Sequence, residues 1–132
     1  MHAYLAIKFH EDFCNKQLIE EISDALREAG VSTTIMARDF EKWGSVKFEP
    51  QELMEKTFEE IDKSDLLVIE FSEKGVGLGI EAGYAYAKNI PIIVIAKNDS
   101  DISDTLKGIA KHVLFYDSPE ELADKIKELN LI

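Results

Sequence analysis

"SDLLVIEFSEKGVGLGIEAGYAYAKNIPIIVI", residues 64–95, decides the fold. It opens on "DLLVIEF" (65–71), an almost continuous apolar run of the kind that forms a strand buried on both faces. It closes on "IPIIVIA" (90–96), a second such run with Pro91 tolerated at its start. Between them a glycine turn leads into an alanine-rich helix from about Gly79 to Lys88. Strand, helix and strand in that order predict a right-handed crossover within a parallel sheet.

The same alternation continues on both sides. "AYLAIKF" (3–9) reads as a first strand, and Leu18, Ile22, Leu26 and Ala29 form a helical stripe stopped by Gly30. "VSTTIM" (31–36) is β-branched and strand-like, residues 37–49 read as one long irregular loop, and Pro50 suits the first position of a helix. That helix carries Leu53, Thr57, Phe58 and Ile61 on one side. Beyond residue 96 the sequence predicts a helix within 101–110, a strand at "HVLFY" (112–116) and a closing helix. Ser118 is its expected N-cap, with Pro119 in the first turn and Glu121 completing a capping box. Five alternations in 1–132, with no linker or repeat, predict one α/β domain of flavodoxin-like fold. Its five-stranded parallel sheet has the order 2-1-3-4-5, with helices on both faces. Ligands in such sheets bind beyond the carboxyl ends of the strands, where the order reverses. The loops after Phe9, Met36 and Phe71 are therefore the expected walls of a cleft.

Composition narrows the partners. A net charge of −11 argues against nucleic-acid binding and against anionic membrane surfaces. The longest apolar run, residues 90–96, is too short to cross a bilayer, and the N-terminus has no signal-peptide layout. Cys14 is the single cysteine, so a cytoplasmic location is expected. His2, His10 and His112 are scattered, so neither a metal site nor another cofactor is expected.

Glu81 stands out, an acid at the strand-to-helix junction with Gly77, Gly79 and Gly83 around it. Acids in a first helical turn commonly offset the positive end of the helix dipole, and Glu81 fits that reading. A second reading rests on the glycines, which let another molecule approach, and on the switch point. At a helix N-terminus the carboxylate is expected to be ionised, which suits a nucleophile or a stabiliser of an oxocarbenium-like sugar cation. "GVGLG" does not match a dinucleotide-binding fingerprint. Trp43, on the long loop with Phe40 and Phe48, either stacks on a base or pins the loop. Phe9 either walls the pocket or belongs to the core. Glu70, an acid within a buried strand, needs a partner, and a raised pKa would suit it to proton donation.

Residues 64–95 resemble the core of the nucleoside 2-deoxyribosyltransferase family, which includes the 2′-deoxynucleoside 5′-monophosphate N-hydrolases. The match to its G-x-G-x-E-x-G-x-A turn is Gly77, Gly79, Glu81, Gly83 and Ala85. The resemblance implies a flavodoxin-like enzyme acting at the N-glycosidic bond of a (2′-deoxy)nucleoside or its 5′-monophosphate. Glu81 would be the catalytic nucleophile of a covalent glycosyl-enzyme, without a cofactor. Where the family carries an aspartate for the leaving base this chain has Thr57, whose hydroxyl would orient a base or water. Where it carries an aspartate or serine for the sugar 5′ end the chain has Gly75, with Ser72 and Lys74 as substitutes nearby. "ISDTLKGIAK" resembles the hydrolase stretch whose serine, here Ser103, reaches a neighbouring subunit's substrate phosphate. Ser103 equally suits a helix cap. The expected substrate-contacting set is Phe9, Trp43, Thr57, Ser72, Gly77, Gly79 and Ser103, in a homodimer or higher homo-oligomer. Hydrolysis and transfer both stay open. The alternative is a non-catalytic nucleoside- or nucleotide-binding module on the same fold.

Overall fold

The computed structural model describes residues 1–131. Its parallel sheet has the order β2-β1-β3-β4-β5, as the alternation predicts. The strands are β1 (His2–Ala6), β2 (Ser32–Thr34), β3 (Leu66–Glu70), β4 (Ile92–Lys97) and β5 (His112–Tyr116). The helices between them are α1 (Lys16–Glu28), α2 (Met36–Asp39), α3 (Pro50–Asp62), α4 (Val76–Ala87), α5 (Asp104–Ile109) and α6 (Glu121–Lys127).

β3 and all of β4 but Lys97 are buried, as their apolar runs require. Period-two alternation then sorts side chains to the two faces. Leu5, Val68, Ile93 and Ile95 pack toward α1 and α6, while Tyr4, Ala6, Leu67 and Ile69 pack toward α3 and α4. Glu70 shares the phase of Val68 and so joins the first face. At the end of α1, Gly30 adopts φ +87°, and the Gly30 and Val31 amides donate to the Arg27 and Leu26 carbonyls. This glycine-terminated helix stop satisfies orphan carbonyls that a side chain in the left-handed region would disfavour.

Three local expectations shift. α4 begins at Val76, a turn earlier than its glycines suggest, so Gly77 and Gly79 are helical rather than part of a turn. Their φ angles are not positive, and nothing in the backbone demands glycine there. α6 begins at Glu121: Ser118 and Pro119 form the turn before it, and the Ser118 amide reaches the Glu121 carboxylate at 3.5 Å. Residues 37–49 contain the end of α2 and a tied loop. The Trp43 and Val46 amides donate to the carbonyls of Ala37 (2.6 Å) and Glu41 (2.9 Å). Arg38 fastens the same segment through Asp39 (2.8 Å), Ser23 (2.8 Å) and the Thr33 carbonyl (2.8 Å).

Candidate active site

Two of the three loops expected to wall a cleft do so, those after Phe9 and Met36; beyond Phe71 the wall is made by α4, and residues 72–75 line other surfaces. A cavity of about 290 Å³ lies at the carboxyl end of β1, between the sheet, α3 and α4. β1 and its following loop supply Tyr4, Phe9 and Glu11. The segment after β2 supplies Met36, Ala37 and Glu41, α3 supplies Leu53 and Thr57, and α4 supplies Gly77 and Glu81. The loop after β1 is held in place by Asn15, which accepts from the His10 amide (3.0 Å) and donates to the Lys8 carbonyl (2.6 Å).

Glu81 is the sixth residue of α4 and sits in its second turn. That placement weakens the dipole effect, which fades beyond the first turn. Its Oε2 is closed off from solvent and has no hydrogen-bond partner among the described residues. Burial without a partner favours the neutral acid, and the carboxyl pKa rises to about 8. The expectation of a lowered pKa is thereby corrected: desolvation outweighs the helix terminus.

Two neighbours have raised pKa values of their own. Tyr4, 2% exposed, has its phenol pKa raised by burial and next by the charge of Glu81. The Thr57 hydroxyl, beside that phenol, donates to the Leu53 carbonyl at 2.8 Å and offsets part of the rise. Burial also raises the Glu41 carboxyl, with a further push from Glu11. Glu81, Glu41 and Glu11 line this cavity, and no Lys, Arg or His does among the described residues.

Four residues singled out in the sequence meet here: Phe9, Thr57, Gly77 and Glu81. The others lie elsewhere. Trp43 packs on the rim, its ring 5.5 Å from Phe9 and 4.9 Å from the Lys16 ammonium, which matches the loop-pinning reading. Ser72 closes the far face of the sheet: its hydroxyl donates to Glu70 (2.8 Å) and accepts from the Lys97 amide (2.9 Å). Glu70, on that same face, also accepts from the Ser72 amide at 2.6 Å and from the Tyr116 hydroxyl. It is a fully engaged acid facing away from Glu81, which removes it as the donor for a leaving base. Gly79 and Ser103 line a separate groove of about 530 Å³ between α4 and α5, whose walls hold no carboxylate. Ser103 occupies the N-cap position of α5 but makes no side-chain capping bond. Gly77 therefore opens toward Glu81, whereas Gly79 and Gly83 open toward that groove.

Tyr4, Glu11 and Glu41 were not singled out in the sequence. Tyr4 reads as core because it alternates with apolar neighbours in a strand. Glu41 belongs to a segment without periodicity, so only the folded path brings it over the cavity.

Comparison with known proteins agrees with this fold. A protein of Syntrophotalea carbinolica, provisionally named a 2′-deoxynucleoside 5′-phosphate N-hydrolase, is 38% identical over 71 residues. The match covers 52% of this chain and 50% of that relative, so it spans about half of the curated protein's length. The 2-deoxyribosyltransferase of Bacillus psychrosaccharolyticus superposes with a TM-score of 0.71 at 14% identity, over 94% of this chain and 91% of the other. The chain has the nucleoside 2-deoxyribosyltransferase fold. The CMP N-glycosidase of Clostridium botulinum shares it, with a TM-score of 0.68 at 21% identity over 99% of this chain and all (100%) of its own. No family model matches the chain. The family resemblance of residues 64–95 is thus supported by one curated relative and by solved structures of the same fold.

Proposed function

We propose that this protein is an N-glycosidase or deoxyribosyltransferase-like enzyme. It acts on a (2′-deoxy)nucleoside or nucleoside 5′-monophosphate, with Glu81 as nucleophile. The observation that carries the reading is Glu81 itself, which lines the cavity at the carboxyl end of β1 and keeps one carboxyl oxygen solvent-shielded and without a partner among the described residues. Glu81 attacks the anomeric carbon as a carboxylate, the C–N bond breaks, and a glycosyl ester forms on Glu81. Water then releases the sugar, or a second base accepts it. Phe9 walls the base side, and the Thr57 hydroxyl orients a leaving base or water. Gly77 leaves room beside the reacting carbon.

The test is chromatography for free base after incubation with ribo- and deoxyribonucleosides and their 5′-monophosphates, with and without an added second base. Base release that is lost in Glu81→Ala supports the reading, and new nucleosides in the second-base tubes mark transfer. No release from any compound, with thermal stabilisation by one, would favour a binding module. That second reading draws on Thr57, a non-acid where the family carries aspartate.

The proposal extends to a homo-oligomer. Val76 and Tyr86 on α4 are 83% and 59% exposed, beside the groove that holds Gly79 and Ser103. Covering this face with a second copy would bury it and bring Ser103 toward the copy's substrate, as the resemblance implies. A Cβ at Gly83 meets nothing within 4 Å, so Gly83→Glu leaves room for the fold while placing a charge on that face. Light scattering should give at least twice the mass of one chain, and a single-chain mass for Gly83→Glu. A native protein that scatters as one chain would end this part of the proposal.

A further inference from the structure

We propose that the cavity's substrate is an N-glycoside whose base carries a fixed positive charge, a pyridinium or N7-alkylpurinium nucleoside without a 5′-phosphate. The inference rests on the N-glycosidic reading of Glu81 and refines its substrate class.

The first argument is charge. Glu81, Glu41 and Glu11 line one cavity of about 290 Å³, and no basic side chain lines it among the described residues. A 5′-phosphate brings close to two negative charges into that space and would be repelled by Glu41 and Glu11, and by Glu81 once it ionises. A cationic heterocycle would be attracted by Glu41 and Glu11 and would draw Glu81 toward its ionised form. Phe9, on the same wall, presents an aromatic ring to such a cation.

The second argument is the leaving group. An uncharged base departs as an anion unless an acid protonates it, and the position where the family carries that acid is Thr57. Glu70 faces the opposite side of the sheet and is occupied by Ser72 and Tyr116. Glu41 and Glu11 reach the cavity from the segments after β2 and β1 and not from α3, where the family carries its donor. A quaternised base needs no donor. When Glu81 forms its bond to the anomeric carbon, the C–N electron pair returns to the ring nitrogen and the base leaves neutral. Water then cleaves the ester, giving free sugar, regenerated Glu81 and one proton to solvent. Overall, cation plus water becomes sugar, neutral base and a proton.

The third argument concerns Glu81 itself. Its unpartnered oxygen has no cation nearby to stabilise the charge a nucleophile needs. A cationic substrate supplies one on arrival, so binding and activation of the nucleophile coincide.

N7-methylguanosine and guanosine differ by one methyl group and the charge, so they test the idea directly. Calorimetry on Glu81→Gln, which holds substrate without turnover, removes the intrinsic lability of the cation from the comparison. N7-methylguanosine should bind about a hundredfold tighter than guanosine, and Glu41→Gln added to that variant should cut the ratio about tenfold. With native protein, chromatography should show base release from N7-methylguanosine and nicotinamide riboside. Both should be far faster than from guanosine or its 5′-monophosphate, and neither should be released by Glu81→Gln. Tighter binding and faster release with guanosine or the monophosphate would overturn the charge inference and leave the N-glycosidic reading standing. An unchanged ratio in the Glu41→Gln double variant would also overturn it. Release from none of them would overturn both.

Discussion

Glu81→Gln should reduce base release to the uncatalysed rate while making the protein harder to unfold at pH 8. The loss of activity follows from removing the nucleophile, on the order of 10³-fold or more. The gain in stability follows from burial. The Glu81 pKa rises from an ordinary 4.5 to about 8 in the folded chain. The folded state therefore holds a proton that the unfolded state releases, and stability falls as pH rises between those values. Full stability is present below about pH 4.5 and is lost by the time pH passes 8. At about 1.4 kcal/mol per pH unit, the loss has a ceiling of about 5 kcal/mol. Glutamine cannot ionise, so the advantage of the variant should grow across that window. Urea unfolding at pH 5, 6.5 and 8 checks it, and a constant difference would contradict the burial argument. The same carboxyl sets the rate profile. For an uncharged substrate, kcat/KM should climb about tenfold per pH unit up to about 8, because the free enzyme must ionise Glu81. Tyr4, Glu41 and Glu11, which share the cavity, offer no positive charge to pull that limb lower.

Glu70→Ala should cost the fold about 2–5 kcal/mol, from buried donors left without their acceptor and from the space left behind. Glu70 is 3% exposed and accepts from the Ser72 amide, the Ser72 hydroxyl and the fully buried Tyr116 hydroxyl. Alanine leaves those donors without their acceptor and opens space where the carboxyl group stood. Tyr116→Phe is milder, about 1–3 kcal/mol, since one donor is lost while the acid keeps the others. Paired urea melts measure both. Turnover of the folded fraction should stay within a few-fold of native, because Glu70 faces α1 and α6 rather than the Glu81 cavity. A loss under 1 kcal/mol for Glu70→Ala would show that the network is not fully desolvated.

What was legible in the sequence follows from how local each signal is. β3 and β4 announce themselves because a strand buried on both faces must be apolar throughout, and their order then fixes the sheet. Glu81 was legible through its spacing to Gly77, Gly79 and Gly83. Its ionisation was not, because desolvation depends on what the fold packs around it, and its cavity is walled from other elements, Tyr4 on β1 and Thr57 on α3 among them. Glu70 was legible as an acid needing a partner, but Tyr116 lies 46 residues away and nothing local names it. The start of α4 was misplaced for a different reason: glycines at 77 and 79 read as a turn, yet here they serve clearance rather than backbone freedom.

That clearance has a mechanical consequence. Alanine would fit at positions 77, 79 and 83, where a Cβ meets nothing within 4 Å, and would firm the helix by roughly 0.5–1 kcal/mol per site. With glycine instead, the backbone of α4 is bare on the side toward Glu81 and on the side toward Ser103. The helix becomes a thin partition between two compartments. A molecule against one side lies about 10 Å, one helix diameter, from whatever rests against the other. On either side of α4 such a molecule meets the backbone of the segment that carries Glu81, with no side chain at the glycines between them.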